Sequence, residues 1–125
     1  MIRIKYIEQA IARNDLVLSC LSLGRQFISH FKKILRNQDN QELVHHWCSE
    51  MQSFYDDVKD ARLKSNKKIV SKEFLYEYFF LKGSGLSDQF SNEEEAEMYQ
   101  CVIDLILYNN ENVYEAITSV LGLNS

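Results

Sequence analysis

No proline occurs anywhere in the 125 residues, where average usage would supply about six. Proline ends helices and is otherwise confined to turns, loops and sheet edges, so a chain without it is free to run in long uninterrupted helices. The apolar periodicity uses that freedom. After Asn14 and Asp15, both good helix caps, Val17, Cys20, Leu21, Gly24, Phe27, Ile28, Phe31, Ile34 and Leu35 recur at helical spacing. The stripe predicts a helix over 16–36, with Lys32, Lys33 and Arg36 suiting the negative end of its dipole and the polar run Asn37 to Asn40 breaking it. Gly24 within the stripe leaves room for a close helix crossing. Asp39 and Glu42 have capping-box spacing, and Val44, Trp47, Cys48, Met51, Phe54, Tyr55, Val58 and Ala61 continue the pattern to about residue 64. Two long helices with so short a link are expected to pack as an antiparallel hairpin.

Shorter elements flank the hairpin. Ile4, Ile7 and Ile11 predict a short helix over 3–13. Ser65 to Lys68 is a polar connection, and Ser71 is placed to cap a helix over about 72–82 that ends at Gly83, followed by a loop over 83–90. Ser91 or Asn92, followed by Glu93, Glu94 and Glu95, marks the start of a helix running to about Asn109. Its buried stripe is Tyr99, Val102, Ile103 and Ile106, with Cys101 and Leu105 as further candidates. Asn112 and Glu115 repeat the capping pattern before Val113, Tyr114, Ile117, Val120 and Leu121, and Gly122 closes that helix. The expected fold is all-α: a single-domain bundle of five or six helices over 1–125, with a long antiparallel hairpin and no strand.

Composition bounds the function classes. With 46% hydrophobic and 26% charged residues, a chain of this size buries about two thirds of its unfolded surface, which excludes disorder as its main state. No run of about 18 apolar residues exists, and the start, Met1 to Tyr6, lacks the features of a signal peptide. A cytoplasmic protein without a membrane partner is therefore expected. Cys20, Cys48 and Cys101 are odd in number and widely spaced, which points to reduced core residues rather than to disulfides or a zinc site.

The net charge of −4 conceals a division. Residues 1–72 hold 13 of the 14 Lys and Arg against 8 acids, a balance of +5, while residues 73–125 hold Lys82 against 10 acids, a balance of −9. Such segregation is an argument about partners and encounter rates. A polyanionic half repels nucleic acid and attracts basic protein surfaces. The basic residues Lys32, Lys33, Arg36, Lys59, Arg62, Lys64, Lys67, Lys68 and Lys72 are numerous enough for a nucleic-acid patch. They lack a recognisable reading module, and no nucleic-acid partner is expected.

Few residues have catalytic or metal-binding spacing. Glu42-x-x-His45 places a carboxylate and an imidazole on one helical face, as in di-iron bundles, but no second such motif exists; no metal and no cofactor are expected. The plain alternative is a pair of partly exposed histidines, His45 and His46, beside a buried Trp47, with Glu42 and Glu50 as helix partners. Gly83-Ser84-Gly85 lacks the Gly-Lys-Ser/Thr of a phosphate loop. Arg25-Gln26-Phe27-Ile28-Ser29-His30 spells Arg, four residues, His, and resembles the RNase motif of the HEPN family of helical bundles. That resemblance implies RNA cleavage by Arg25 and His30. The chain departs from the family pattern in having only Gln26 after the arginine, and residues five apart in a continuous helix point about 140° from each other.

The stretch Glu73-Phe74-Leu75-Tyr76-Glu77-Tyr78-Phe79-Phe80-Leu81 is the most informative. At 100° per residue, Phe74, Leu75, Tyr78 and Phe79 share one broad face and Tyr76 and Phe80 lie on the other, so one face needs a second partner. That partner is either the bundle's own core or another protein, since aromatic anchors within a charge ring concentrate binding energy. A small, acidic, proline-free helical chain with tyrosines among glutamates resembles the immunity proteins of bacterial toxins, of the contact-dependent growth inhibition or bacteriocin type. The resemblance implies a non-enzymatic inhibitor of a cognate basic toxin domain, a nuclease above all, whose basic site it covers with an acidic surface. On charge and aromatic placement, the partner-binding residues expected are Glu73, Tyr76, Glu77, Phe80, Glu93, Glu94, Glu95 and Glu97. The alternative is a homodimeric structural or regulatory module, or a chaperone-like partner, that pairs the spare aromatic face with itself or with an apolar segment.

Overall fold

The computed structural model describes residues 16–64, 72–80 and 86–123. Five α-helices lie among these residues, each overlapping an expected one: α1 (Leu16–Arg36), α2 (Gln41–Lys64), α3 (Lys72–Phe79), α4 (Glu93–Tyr108) and α5 (Val113–Leu121). The helix expected over 3–13, the connection at 65–68 and the glycine loop at 83–85 lie outside the described residues. Among those described there is no strand.

The helices close a ring. The α1 helix packs on α2, α2 on α5, α5 on α4, α4 on α3, and α3 back on α1. The first pair is the expected antiparallel hairpin, with Phe27 of α1 reaching Tyr55 of α2 at 6.3 Å between ring centroids, far back from the Asn37 to Asn40 turn on both sides. Buried side chains from every helix fill the middle. Tyr99 of α4 is at the centre, fully buried, with the rings of Phe31, Phe80 and Phe90 at 5.5, 5.7 and 5.4 Å. Its hydroxyl donates to the Phe79 carbonyl at 3.2 Å, which satisfies the one polar group that burial would otherwise penalise. Gly24 is buried on the inner face of α1, as its place in the stripe requires.

Most helix ends follow the capping rules. Asn92 Oδ1 accepts the Glu95 amide at 2.9 Å, while Glu95 Oε1 accepts the Ser91 amide at 3.2 Å. Asn112 Oδ1 accepts the Glu115 amide at 2.8 Å, and the α5 N-terminus gains a tertiary partner in Gln52 of α2, whose Oε1 accepts the Val113 amide at 2.8 Å. Gly122 terminates α5 at φ 70°, a left-handed conformation that glycine adopts without strain. Asn110, at φ 57°, makes the turn between α4 and α5; asparagine is the non-glycine residue best suited to that region.

Several expectations need correction. Asn40, not Asp39, caps α2, its Oδ1 accepting the Leu43 amide at 3.2 Å, because the helix begins at Gln41 and the cap is the residue just before it. Helix α3 stops at Phe79 rather than near 82, with Phe80 already in a turn, and the expected loop contains a 3-10 turn, Leu86–Gln89, ahead of the buried Phe90. Cys48 is a buried free thiol, but Cys101 is exposed: it lies outside the stripe of Tyr99, Val102, Ile103 and Ile106. Leu105 and Trp47 are half-buried at the margin of the core.

Candidate functional site

The second face of α3 finds its partner within the chain. Leu75 and Phe79 are buried, with Phe79 5.0 Å from Phe27 of α1. Tyr76 and Phe80, T-shaped to each other at 4.5 Å, turn toward α4 and are half-buried there. The Phe80 ring meets Tyr99, the Tyr76 ring meets Tyr108 at 5.9 Å, and the Tyr76 hydroxyl accepts a hydrogen bond from Gln100 Nε2 at 3.0 Å. Burial, and the carboxylate of Asp104 beside it, push the Tyr76 hydroxyl pKa up.

The outer edge of this contact is a strip of acids and tyrosines. On α4, Glu93, Glu97, Gln100, Asp104 and Tyr108 follow one another at spacings of three and four and so share one side of the helix. Glu93, Glu97, Gln100 and Tyr108 are exposed, Asp104 is half-exposed, and Glu77 of α3 is exposed. Tyr108 is 44% exposed, a level that singles it out among the large apolar side chains described. The strip has the composition of an interface centre: amphipathic rings that bury area at low entropic cost, within a ring of one charge sign.

The sequence expectations distribute unevenly over this surface. Tyr76 and Phe80 come together with α4, while Glu93 and Glu97 are placed on the same side of that helix as Gln100 by spacing alone and Glu77 is exposed on α3. Glu94 is exposed on another side of the α4 N-terminus, and one oxygen of Glu95 is engaged in capping. Glu73 belongs to α3, but its side chain lies outside those described. Gln100, Asp104 and Tyr108 were not anticipated. Their signal was present in the spacing from Glu93 and Glu97, but only the position of α3 shows that this side of α4 borders Tyr76.

The other candidates are dispersed. The His45 ring stacks on Tyr114 at 4.3 Å, and His46 Nε2 lies 3.8 Å from Glu50 Oε1. Among the described residues no group of three or more His, Cys, Asp and Glu is arranged to hold a metal ion, and no helix is long and apolar enough to cross a membrane. Arg25 and His30 sit on one continuous helix, Arg25 exposed and His30 half-buried. His30 Nδ1 is 2.8 Å from the Gln26 carbonyl, to which a protonated Nδ1 donates, and burial lowers the imidazole pKa. Cys48 is pushed up to about 12 by burial, so its thiol is no nucleophile at neutral pH. No protein-family model, curated protein or solved structure matches the chain.

Proposed function

We infer that this chain is a protein-binding inhibitor of the immunity type, which neutralises a basic toxin domain, with a nuclease as the best fit, by laying the α3–α4 strip over its cationic surface. The observation that carries the reading is the pairing of Tyr76 with Tyr108 at 5.9 Å beside the carboxylate of Asp104, on a side of α4 that also carries Glu93 and Glu97. Carboxylates at the rim steer a basic partner into encounter, and the tyrosines, once covered, supply the contact area that slows dissociation. The Tyr76 hydroxyl, already held by Gln100, loses little freedom on binding. No reaction is assigned to the protein, and its side chains act by occlusion.

The test is a pull-down of the tagged full chain from extract of its source cells, beside a Tyr108→Ala/Asp104→Lys variant. One strongly basic partner in near-stoichiometric amount, weakened by high salt and lost from the variant, is the expected result. Truncating a central interface tyrosine costs about 2 kcal/mol or more of binding. Recovery of the protein alone, as a dimer stable in high salt, would instead favour the self-associating module, for which the exposed Tyr108 is the specific support.

A further inference from the structure

Helix α1 carries four cations, Arg25, Lys32, Lys33 and Arg36, and no acidic residue along its 21 residues. At 100° per residue, Arg25, Ser29, Lys32 and Arg36 fall within an arc of about 60° and extend over about 16 Å of helix. The outer side of α1 is thus a line of donors with neighbours about 5–6 Å apart. Beside it runs an open groove of about 370 Å³, bounded by these residues with Lys33 and, from the 3-10 turn, Gln89. Its floor includes the buried Ile28. Among the described residues no carboxylate lines it.

Among the described residues these cations are not consumed by the fold. Arg25, Lys33 and Arg36 have no ion pair among the described residues, and Lys32 reaches only the Phe90 ring, 5.8 Å from its ammonium. Three cations in the last turn and a half of α1 exceed what the helix dipole would reward, and Arg25 lies too far from that end to be explained by it. Lys32 and Arg36 also line a neighbouring hollow, where Asp88 and Glu95 face them. The positive track is therefore short and closed at one end by carboxylates. It suits a compact anion with several charges in line better than a long nucleic-acid strand.

We propose that this groove binds a linear polyphosphate group, as carried by inorganic polyphosphate or by nucleoside triphosphates. The guanidiniums of Arg25 and Arg36 grip phosphate oxygens at the two ends, Lys32 and Lys33 neutralise the charge between them, and Ser29 and Gln89 donate neutral hydrogen bonds. The assignment is independent of the α3–α4 strip and survives or fails without it.

The experiment is titration calorimetry of the full chain with inorganic tripolyphosphate, then with a nucleoside triphosphate and a short oligoribonucleotide at the same ionic strength. Saturable binding that weakens with added salt is expected, reduced on the order of tenfold for each guanidinium removed in Arg25→Ala and Arg36→Ala. Asp88→Asn, which removes a terminal repulsion, should tighten it. Equal affinity for tripolyphosphate and the triphosphate identifies the phosphate chain as the ligand; tighter binding of the nucleoside form adds a base contact to the same site. Circular dichroism of the arginine variants confirms that they fold. Absence of binding, affinity unchanged in both folded arginine variants, equal competition by sulfate, or tighter binding of the oligoribonucleotide would each overturn the proposal.

Discussion

The outer faces of α1 and of the α3–α4 pair are opposite in chemistry although their inner faces are alike. Inward, α1 offers Phe27, Phe31 and Ile34, while α4 offers Tyr99, Ile103 and Ile106, all nearly inaccessible to solvent. Outward, α1 shows arginine and lysine without an acid, whereas α4 shows glutamate, aspartate and tyrosine without a base and α3 adds Tyr76 and Glu77 beside it. Packing therefore dictates half of each helix in the same apolar terms, and the other half is released to set what the molecule attracts. The contrast also separates two kinds of tyrosine. The Tyr99 hydroxyl is bonded inside the core, that of Tyr76 is bonded to Gln100 at the half-buried edge, and Tyr108 is exposed.

If the two faces rest on one shared core, removing Phe31 should collapse both. It is fully buried and contacts Tyr99 and Phe90 across the ring, so Phe31→Ala is expected to cost about 3–5 kcal/mol in urea unfolding. A variant that loses order around α1 alone would show two independent cores. The contrast between tyrosines is sharpened by Tyr99→Phe, which removes the buried donor to the Phe79 carbonyl and should cost about 1–3 kcal/mol. A pH profile tests the same point. Burial holds the Tyr99 hydroxyl well above its ordinary value and the Cys48 thiol at about 12, so the folded state keeps protons that the unfolded chain releases. That stability is complete below about pH 8.5 and is lost as pH rises, first through Cys48 and then through Tyr99. Tyr99→Phe should flatten the loss above about pH 10, measured by thermal melts across the alkaline range.

Smaller effects are expected at the acidic end of α4. Asn92→Ala removes the acceptor for the Glu95 amide and should cost about 1 kcal/mol. Glu94→Gln, by contrast, should change stability by less than about 0.5 kcal/mol, since Glu94 is exposed and its charge belongs to the surface. A large loss there would mean that the acids hold the fold together.

How much of this was readable follows from what periodicity encodes. The bounds of α1, α2, α4 and α5 were readable because Phe27, Phe31, Tyr99 and Ile103 repeat at helical spacing and because Asn92, Asn112 and Gly122 punctuate it. The cap of α2 was placed one residue early, at Asp39, because the run from Asn37 to Asn40 offers several side chains that can cap. The end of α3 was overestimated because Phe80 and Leu81 prolong an apolar pattern past the point where the backbone turns. The site was half readable. Tyr76 and Glu77 stand out locally, but their junction with Gln100, Asp104 and Tyr108 is a tertiary fact, as is the meeting of Arg25 and Arg36 with Gln89. A sequence states which side of a helix is apolar and leaves open which helix lies beside it.

The hydrogen bond from the Val113 amide to Gln52 joins residues 61 apart in sequence. Helix α5, at nine residues, is too short to persist in water alone. Its first turn is completed by a side chain of α2, so its formation and its docking are one event. The exchange of that single amide proton with deuterated solvent therefore reports whether the ring is closed: Gln52→Ala should accelerate it even where the melting temperature scarcely moves.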